Sequence, residues 1–373
     1  MLGCKNLNKV NFLGDKVVKI GFDAFSGTKL SEIRITQNVS EIDSSAFENC
    51  DYLQTINIDK NNSKFKYSNG MLININDTTN EEKVVFVSKK YYEGVTEMEI
   101  PAGTTEFTAN INNIKATKIK IPSTVKKLND GSYFPDTISD VIIDSENSNY
   151  VTQENCIYTK DLTKLVLCYS KEKNIVLKNE NATEILSCAF NCATNASYIK
   201  LQDSITTLES SIVARGNIKT FEIGSRVKNI NHTFWNKFDE FNLIVNKNNP
   251  YFMVENRILY SKDKTKIYNV FYKINGEFIL DEKVKTICIG CFCSQGEMTK
   301  FVPNNILEKI EEQAFVWSGI TTIELPSSIK EIDSRAFAGT PKLKNMYIDK
   351  SKNSIQGAPW GANAGEKILQ WKE

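Results

Sequence analysis

The amino-acid sequence predicts a strand-dominated solenoid of short stacked rungs, and three recurrences carry that prediction. An Ala-Phe pair returns at a spacing of 22 residues, from Ala24-Phe25 to Ala46-Phe47 and again from Ala314-Phe315 to Ala336-Phe337. A short alternating stretch follows each pair, such as Glu32-Ile33-Arg34-Ile35 or Thr55-Ile56-Asn57-Ile58. Alternation of period two marks a strand with one buried face. The third recurrence is a longer unit, present in three copies, that reads as an inserted hairpin.

The rungs can be placed one by one from the second apolar residue of each alternating stretch. These markers run Phe12, Ile35, Ile58, Ile100, Ile121, Ile143, Leu177, Leu201, Ile223, Val245, Leu280, Val302, Leu325 and Ile348. Most steps are 21 to 24 residues, inside the roughly 20–29-residue range of leucine-rich repeats. The expected fold is a leucine-rich-repeat solenoid of the α/β superhelix class, strand-dominated with few short helical turns. The Ala of each pair must be small because the chain turns there, and the Phe fills the interior. No rung is stable alone, because each buries its apolar set against the rungs on either side. A length of 373 residues suggests two or three globular domains, but the repeat replaces that count with a single solenoid over residues 1–373. Rungs near Asn110–Ile114, Tyr133–Phe134 and Ile212–Val213 lack Ala-Phe and are expected to pack less regularly.

Three marker steps are long, 58 to 100, 143 to 177 and 245 to 280, and each holds one insert. The copies open on Lys60-Asn-Asn-Ser-Lys-Phe65, Glu146-Asn-Ser-Asn-Tyr150 and Lys247-Asn-Asn-Pro-Tyr251. Two apolar runs then flank a polar turn, as in Cys156-Ile157-Tyr158 and Leu165-Val166-Leu167. The hairpins are therefore expected at about 60–90, 146–170 and 247–272.

Two motifs give the chain a family likeness: Ile-x-x-x-Ala-Phe-x-x-Cys/Thr, at Ile42 to Cys50 and Ile332 to Thr340, and Ile-x-Ile/Leu-Pro, at Ile119 to Pro122 and Ile323 to Pro326. In these the chain resembles the BspA-like leucine-rich-repeat proteins of bacterial and some protozoan cell surfaces. The hairpins are similar to that family's common insert. The ending Gly357-Ala-Pro-Trp-Gly361 with Trp371 looks like a terminal cap, placed at 355–373. The resemblance implies a surface or secreted protein that binds host or matrix ligands. Cys4, Leu7 and Val10 fall 46 residues before Cys50, Leu53 and Ile56, so the chain begins inside a rung. The expectation is a fragment of a longer chain, with its leader before Met1.

Charge and composition narrow the chemistry. Lys and Arg total 46 against 45 Asp and Glu, so the field of a general nucleic-acid binder is missing. The only imidazole is His232, which any Ser-His-Asp relay would have to use and which reads as a turn residue. A His-rich zinc site is excluded. Paired carboxylates need no His, so a carbohydrate-active enzyme stays as a remote alternative. No cofactor and no membrane span are called for, since no run of about 18 apolar residues occurs.

Nine cysteines cannot all pair within one chain. Cys291 takes the Ala slot of its rung, so Cys288, Cys291 and Cys293 are expected to be core filler and not metal ligands. Cys156 and Cys168 flank the second hairpin symmetrically about Leu162, within reach of a bridge if they oppose each other without hydrogen bonding. Two free thiols are the expected state.

Mixed charges such as Glu99, Lys120, Lys200, Glu222 and Glu324 fall at outward strand positions and suggest a solvated face. Ile142, Ile244, Ile279, Phe301 and Tyr347 break that pattern. Ile244, Ile279 and Phe301 form the candidate ligand-binding face, because an apolar stripe on a solenoid can mark a partner site. The competing and favoured expectation is that the third hairpin folds over Ile244 and Ile279. The register of Phe301 is ambiguous, since Phe301 outward would put Lys300 inward. The function expected is non-catalytic binding or adhesion through a protein or glycan ligand, with a structural spacer as the alternative.

Overall fold

The computed structural model describes residues 4–12, 14–213, 217–231, 241–352 and 354–372; His232 lies outside the described residues. Among the described residues helix is confined to two 3-10 turns, Gly131–Tyr133 and Gly365–Ile368. The fold is a strand-dominated solenoid of stacked coils. It divides into two compact units, residues 1–172 with 186–195, and residues 173–185 with 196–373.

In each unit the coils feed two sets of mainly parallel sheets. One set holds the alternating stretches predicted above. In the first unit Glu32–Ile35 pairs with Thr55–Ile58, and Lys118–Ile121 lies between Glu97–Glu99 and Asp140–Ile143. In the second unit one sheet runs from Asn174–Val176 to Asn242–Val245. Another runs from Gly276–Ile279 to Leu369–Trp371. The other set is made of two-residue strands just before the Ala-Phe turns, such as Thr286–Ile287, Lys309–Ile310 and Glu331–Ile332.

The Ala-Phe turns explain why the repeat needs those two residues. Ala46, Ala314 and Ala336 are wholly buried, and the Phe beside each stacks on the Phe of the preceding coil. Phe292 and Phe315 are 5.2 Å apart at 15°, and Phe315 and Phe337 are 5.1 Å apart at 7°. The turns also bond to each other: Phe292 N–H donates to Ala314 O at 2.8 Å and Phe315 N–H to Ala336 O at 2.9 Å. A bulkier residue than Ala would separate coils that this ladder holds together. The coils without Ala-Phe still fill the interior, with Ile111, Phe134, Ile212 and Val213 buried.

At the three inserts the chain forms antiparallel three-stranded ladders. They are Phe65–Ser68, Met71–Ile75 and Glu82–Val87; Tyr150–Gln153, Cys156–Thr159 and Lys164–Cys168; and Phe252–Glu255, Ile258–Ser261 and Lys266–Val270. The first turn of each has two residues with positive φ: Asn69 and Gly70, Glu154 and Asn155, Asn256 and Arg257. That is the type I′ geometry matched to the twist of paired strands. A buried Asn leads into each ladder. Asn249 Nδ2 donates to Gly224 O and Val227 O of the preceding coil, while its Oδ1 accepts from Tyr251 and Phe252 N–H. Asn62 and Asn147 make the equivalent four bonds.

The second turn of the two later inserts is braced by a carboxylate. Asp161 accepts from Thr159 Oγ1, Thr163 N and Thr163 Oγ1, and Asp263 accepts from Ser261 Oγ, Thr265 N and Thr265 Oγ1. The side-chain bonds from Thr159 and Ser261, followed by those from Thr163 and Thr265, hold both carboxyls down at about 2. An unfolded Asp titrates near 3.9, so these two groups favour the folded state above that value. Their contribution is lost as pH falls through about 4 towards 2. Melting curves of the wild type and the Asp161→Asn/Asp263→Asn variant should therefore differ at pH 6 and converge near pH 2; a constant gap would refute the assignment.

Candidate ligand-binding face

Strand alternation sends every second side chain of the long-strand sheets outward, and the ladder register says which residues share a row. In the first unit the row is mostly charged and paired. Arg34 meets Asp59 at 2.6 Å, and Lys120 meets Glu97 at 2.5 Å. The early part of the second unit behaves alike: Lys200 lies 2.9 Å from Glu222, which also accepts from Tyr198 Oη at 2.6 Å. Those bonds hold Glu222 below the usual carboxylate range.

The row then turns apolar. Ile244 is 39% exposed and Ile279 is 69% exposed. The third hairpin does not cover them, contrary to the favoured expectation. Its last strand, Lys266–Val270, pairs in parallel with Thr286–Ile287, so the insert joins the two-residue sheets and not the outward face.

Phe301 corrects the candidate face. It is buried, 2% exposed, and its ring packs between Phe278, Phe292 and Phe315 at 6.2, 5.3 and 5.0 Å. A β-bulge is the cause. Gly276 pairs with Met298, but Glu277 pairs with Lys300, so Thr299 is an extra residue. Thr299 and Lys300 both face solvent, and Phe301 moves to the inward row with Phe278 and Ile323. Val302 becomes the outward neighbour of Ile279. The marker assigned to Val302 therefore belongs one residue later, at Pro303.

The corrected outward row is Ile279 and Val302, continued through Glu324 to Tyr347, which is 41% exposed; Ile244 is outward at the end of the preceding sheet, with no ladder joining it to this row. A shallow cleft of about 450 Å³ lies beside the bulge, lined by Lys300, Val302, Pro303, Thr321, Thr322 and Glu324. Lys300 is bound to Glu277 at 2.6 Å, and that hydrogen bond and charge hold its ammonium above the ordinary lysine value. Chemically the face offers branched aliphatic contact flanked by one ion pair and a few hydroxyls. The bulge is the feature that strand alternation alone could not reveal; in the structure it makes Met298–Val302 a five-residue strand among four-residue siblings.

The remaining candidates settle into the coil structure. Cys291 is buried in its Ala slot, and Cys288 and Cys293 are buried on either side. Burial pushes the Cys288 and Cys291 thiols well up. Among the described residues no group of three or more His, Cys, Asp or Glu side chains is placed to hold a metal ion. Nor is any helix among them long and apolar enough to cross a membrane.

Stacked parallel coils with a Phe ladder and a regular outward face define a leucine-rich-repeat protein. The model for the BspA type leucine rich repeat region matches in six copies, over residues 2–99, 166–270 and 265–359, and the chain belongs to that family. Similar solved structures include a leucine-rich repeat protein from Eubacterium ventriosum, 18% identical, with a TM-score of 0.47 over 93% of this chain and 85% of that one. The pneumococcal vaccine antigen PcpA is 16% identical, with a TM-score of 0.45 over 83% of this chain and 93% of its own. A leucine rich cell surface protein from Faecalibacterium prausnitzii is 14% identical, with a TM-score of 0.43 over 83% and 95%. No curated protein matches the chain.

Proposed function

We propose that this protein is a non-catalytic, cell-surface or secreted binding module, and that a protein ligand docks on the outward face around Ile279 and Val302. One observation carries the reading: the registered outward neighbours Ile279 and Val302 are both aliphatic where other coils carry cross-strand ion pairs such as Lys120–Glu97 and Lys200–Glu222. Solvated repeat surfaces have no use for aliphatic side chains held in register, whereas the centre of a protein interface does. Ile and Val favour a protein over a glycan, because sugar recognition draws on polar contacts and aromatic faces. The surface placement rests on family membership.

A spacer role is favoured by a different observation. The outward row of the first unit is ion-paired at Arg34–Asp59 and at Lys118 and Lys120 with Glu97, which suits a solvated stalk. The two readings part in a screen of immobilised matrix proteins and glycans. The binding reading expects saturable capture by at least one protein surface. Absence of any capture up to high micromolar concentration would leave the spacer.

A further inference from the structure

We propose that Cys156 and Cys168 form a latent cross-strand disulfide site, closed by thiol–disulfide exchange with a small-molecule disulfide. Both residues are buried and both are free thiols in the structure. They are direct partners across the antiparallel pair Cys156–Thr159 and Lys164–Cys168. Cys168 N–H points away from Cys156 and donates to Ala189 O at 2.7 Å, while Tyr169 N–H donates to Asn155 O at 2.9 Å. The facing pair is thus a non-hydrogen-bonded one, whose Cα atoms lie about 4.5 Å apart. That falls inside the roughly 4.4–6.8 Å span of disulfides.

The sibling inserts show that packing does not ask for a thiol there. The equivalent facing pairs are Met71 with Val87 and Ile258 with Val270, none of them able to form a disulfide. In the second insert both members are cysteine together. Other buried cysteines have separate partners: Cys50 Sγ donates to Phe25 O at 2.9 Å, and Cys192 Sγ to Pro135 O at 3.3 Å. Cys156 instead bonds to Cys168, which with burial holds its thiol well above the ordinary value. The same bond holds the Cys168 thiol down against its burial.

The chemistry closes without a metal or an electron carrier. The thiolate of one member of the pair attacks a small disulfide RSSR, forming a mixed disulfide protein–S–S–R and releasing one thiolate RS⁻. The thiolate of the other member then attacks the protein sulfur of that mixed disulfide, forming the Cys156–Cys168 bridge and releasing the second RS⁻. Two cysteine sulfurs are oxidised, two small-molecule sulfurs are reduced, and the two thiol protons end on two RSH. The approach begins at the exposed turn Gln153, Glu154 and Asn155, next to Cys156.

The test incubates the full chain with oxidised glutathione, both folded and during refolding from denaturant, then alkylates it in denaturant and maps peptides by mass spectrometry. The expected result is a peptide pair linked through Cys156 and Cys168, lighter by two hydrogens, with the other seven cysteines alkylated. The bridged protein should melt at a higher temperature than the reduced one. A Cys156→Ile/Cys168→Val variant, copying the third insert, should fold and show no oxidant-dependent shift. Full alkylation of both residues after both treatments would overturn the proposal, as would preferred pairing of either with another cysteine.

Discussion

Trp360→Ala is expected to lower the unfolding free energy of the second unit by about 3–5 kcal/mol, the range for deleting a buried aromatic side chain. Trp360 has no exposed surface, its Nε1 donates to Gln356 O at 2.8 Å, and its ring lies 6.2 Å from that of Trp371. Its carbonyl also accepts from Phe337 N–H at 3.0 Å, the bond that an Ala carbonyl supplies in the coils before it. Trp360 thus stands in the Ala slot where the next Ala-Phe turn would be, and its ring is buried in the same core cluster as Phe337. Solenoids need such ends because an uncovered terminal coil exposes its apolar set. Removing the ring leaves a cavity in the buried cluster it shares with Phe337, Ile355 and Ile368. Urea unfolding of the variant measures the loss; a change below about 1 kcal/mol would contradict a capping role.

Asn249→Ala should cost about 3 kcal/mol for a different reason. Asn249 is 1% exposed and satisfies four backbone groups, two carbonyls of the preceding coil at 3.0 and 2.9 Å and two N–H groups at 2.8 and 2.9 Å. Each buried group left without a partner costs about 1–3 kcal/mol, less whatever water recovers. Asn249→Asp keeps the acceptor and loses both donors, so its loss should fall between wild type and Ala. Equal losses for Asp and Ala in urea unfolding would show that only the donor side matters.

Much of this fold was legible in residue spacing. Period-two stretches and a 22-residue Ala-Phe return dictate coils because only a small residue lets the turns bond and only a flat ring stacks through the interior. What was not legible depended on tertiary pairing. The run Thr299-Lys300-Phe301-Val302 has two polar then two apolar residues, so alternation fits either register. The bulge decides it, and a bulge is fixed by the neighbouring strand, not by the run itself. The same holds for the third hairpin, whose strands signal a ladder without saying which sheet it joins. The buried Asn residues were visible as a recurrence at Asn62, Asn147 and Asn249, but their role needs the carbonyls of the coil before.

The bulge turns Phe301 into core and leaves Ile279 and Val302 outward, where we propose that the ligand docks. Ile279→Asp and Phe301→Asp, measured side by side for thermal unfolding and for capture of the protein ligand found in the screen, test it most directly. Ile279→Asp should melt within about 0.5 kcal/mol of wild type, as exposed substitutions do, and lose ligand capture. Phe301→Asp should fail to fold the second unit. An Ile279→Asp protein that binds like wild type, or a Phe301→Asp protein that melts like wild type, would contradict the account.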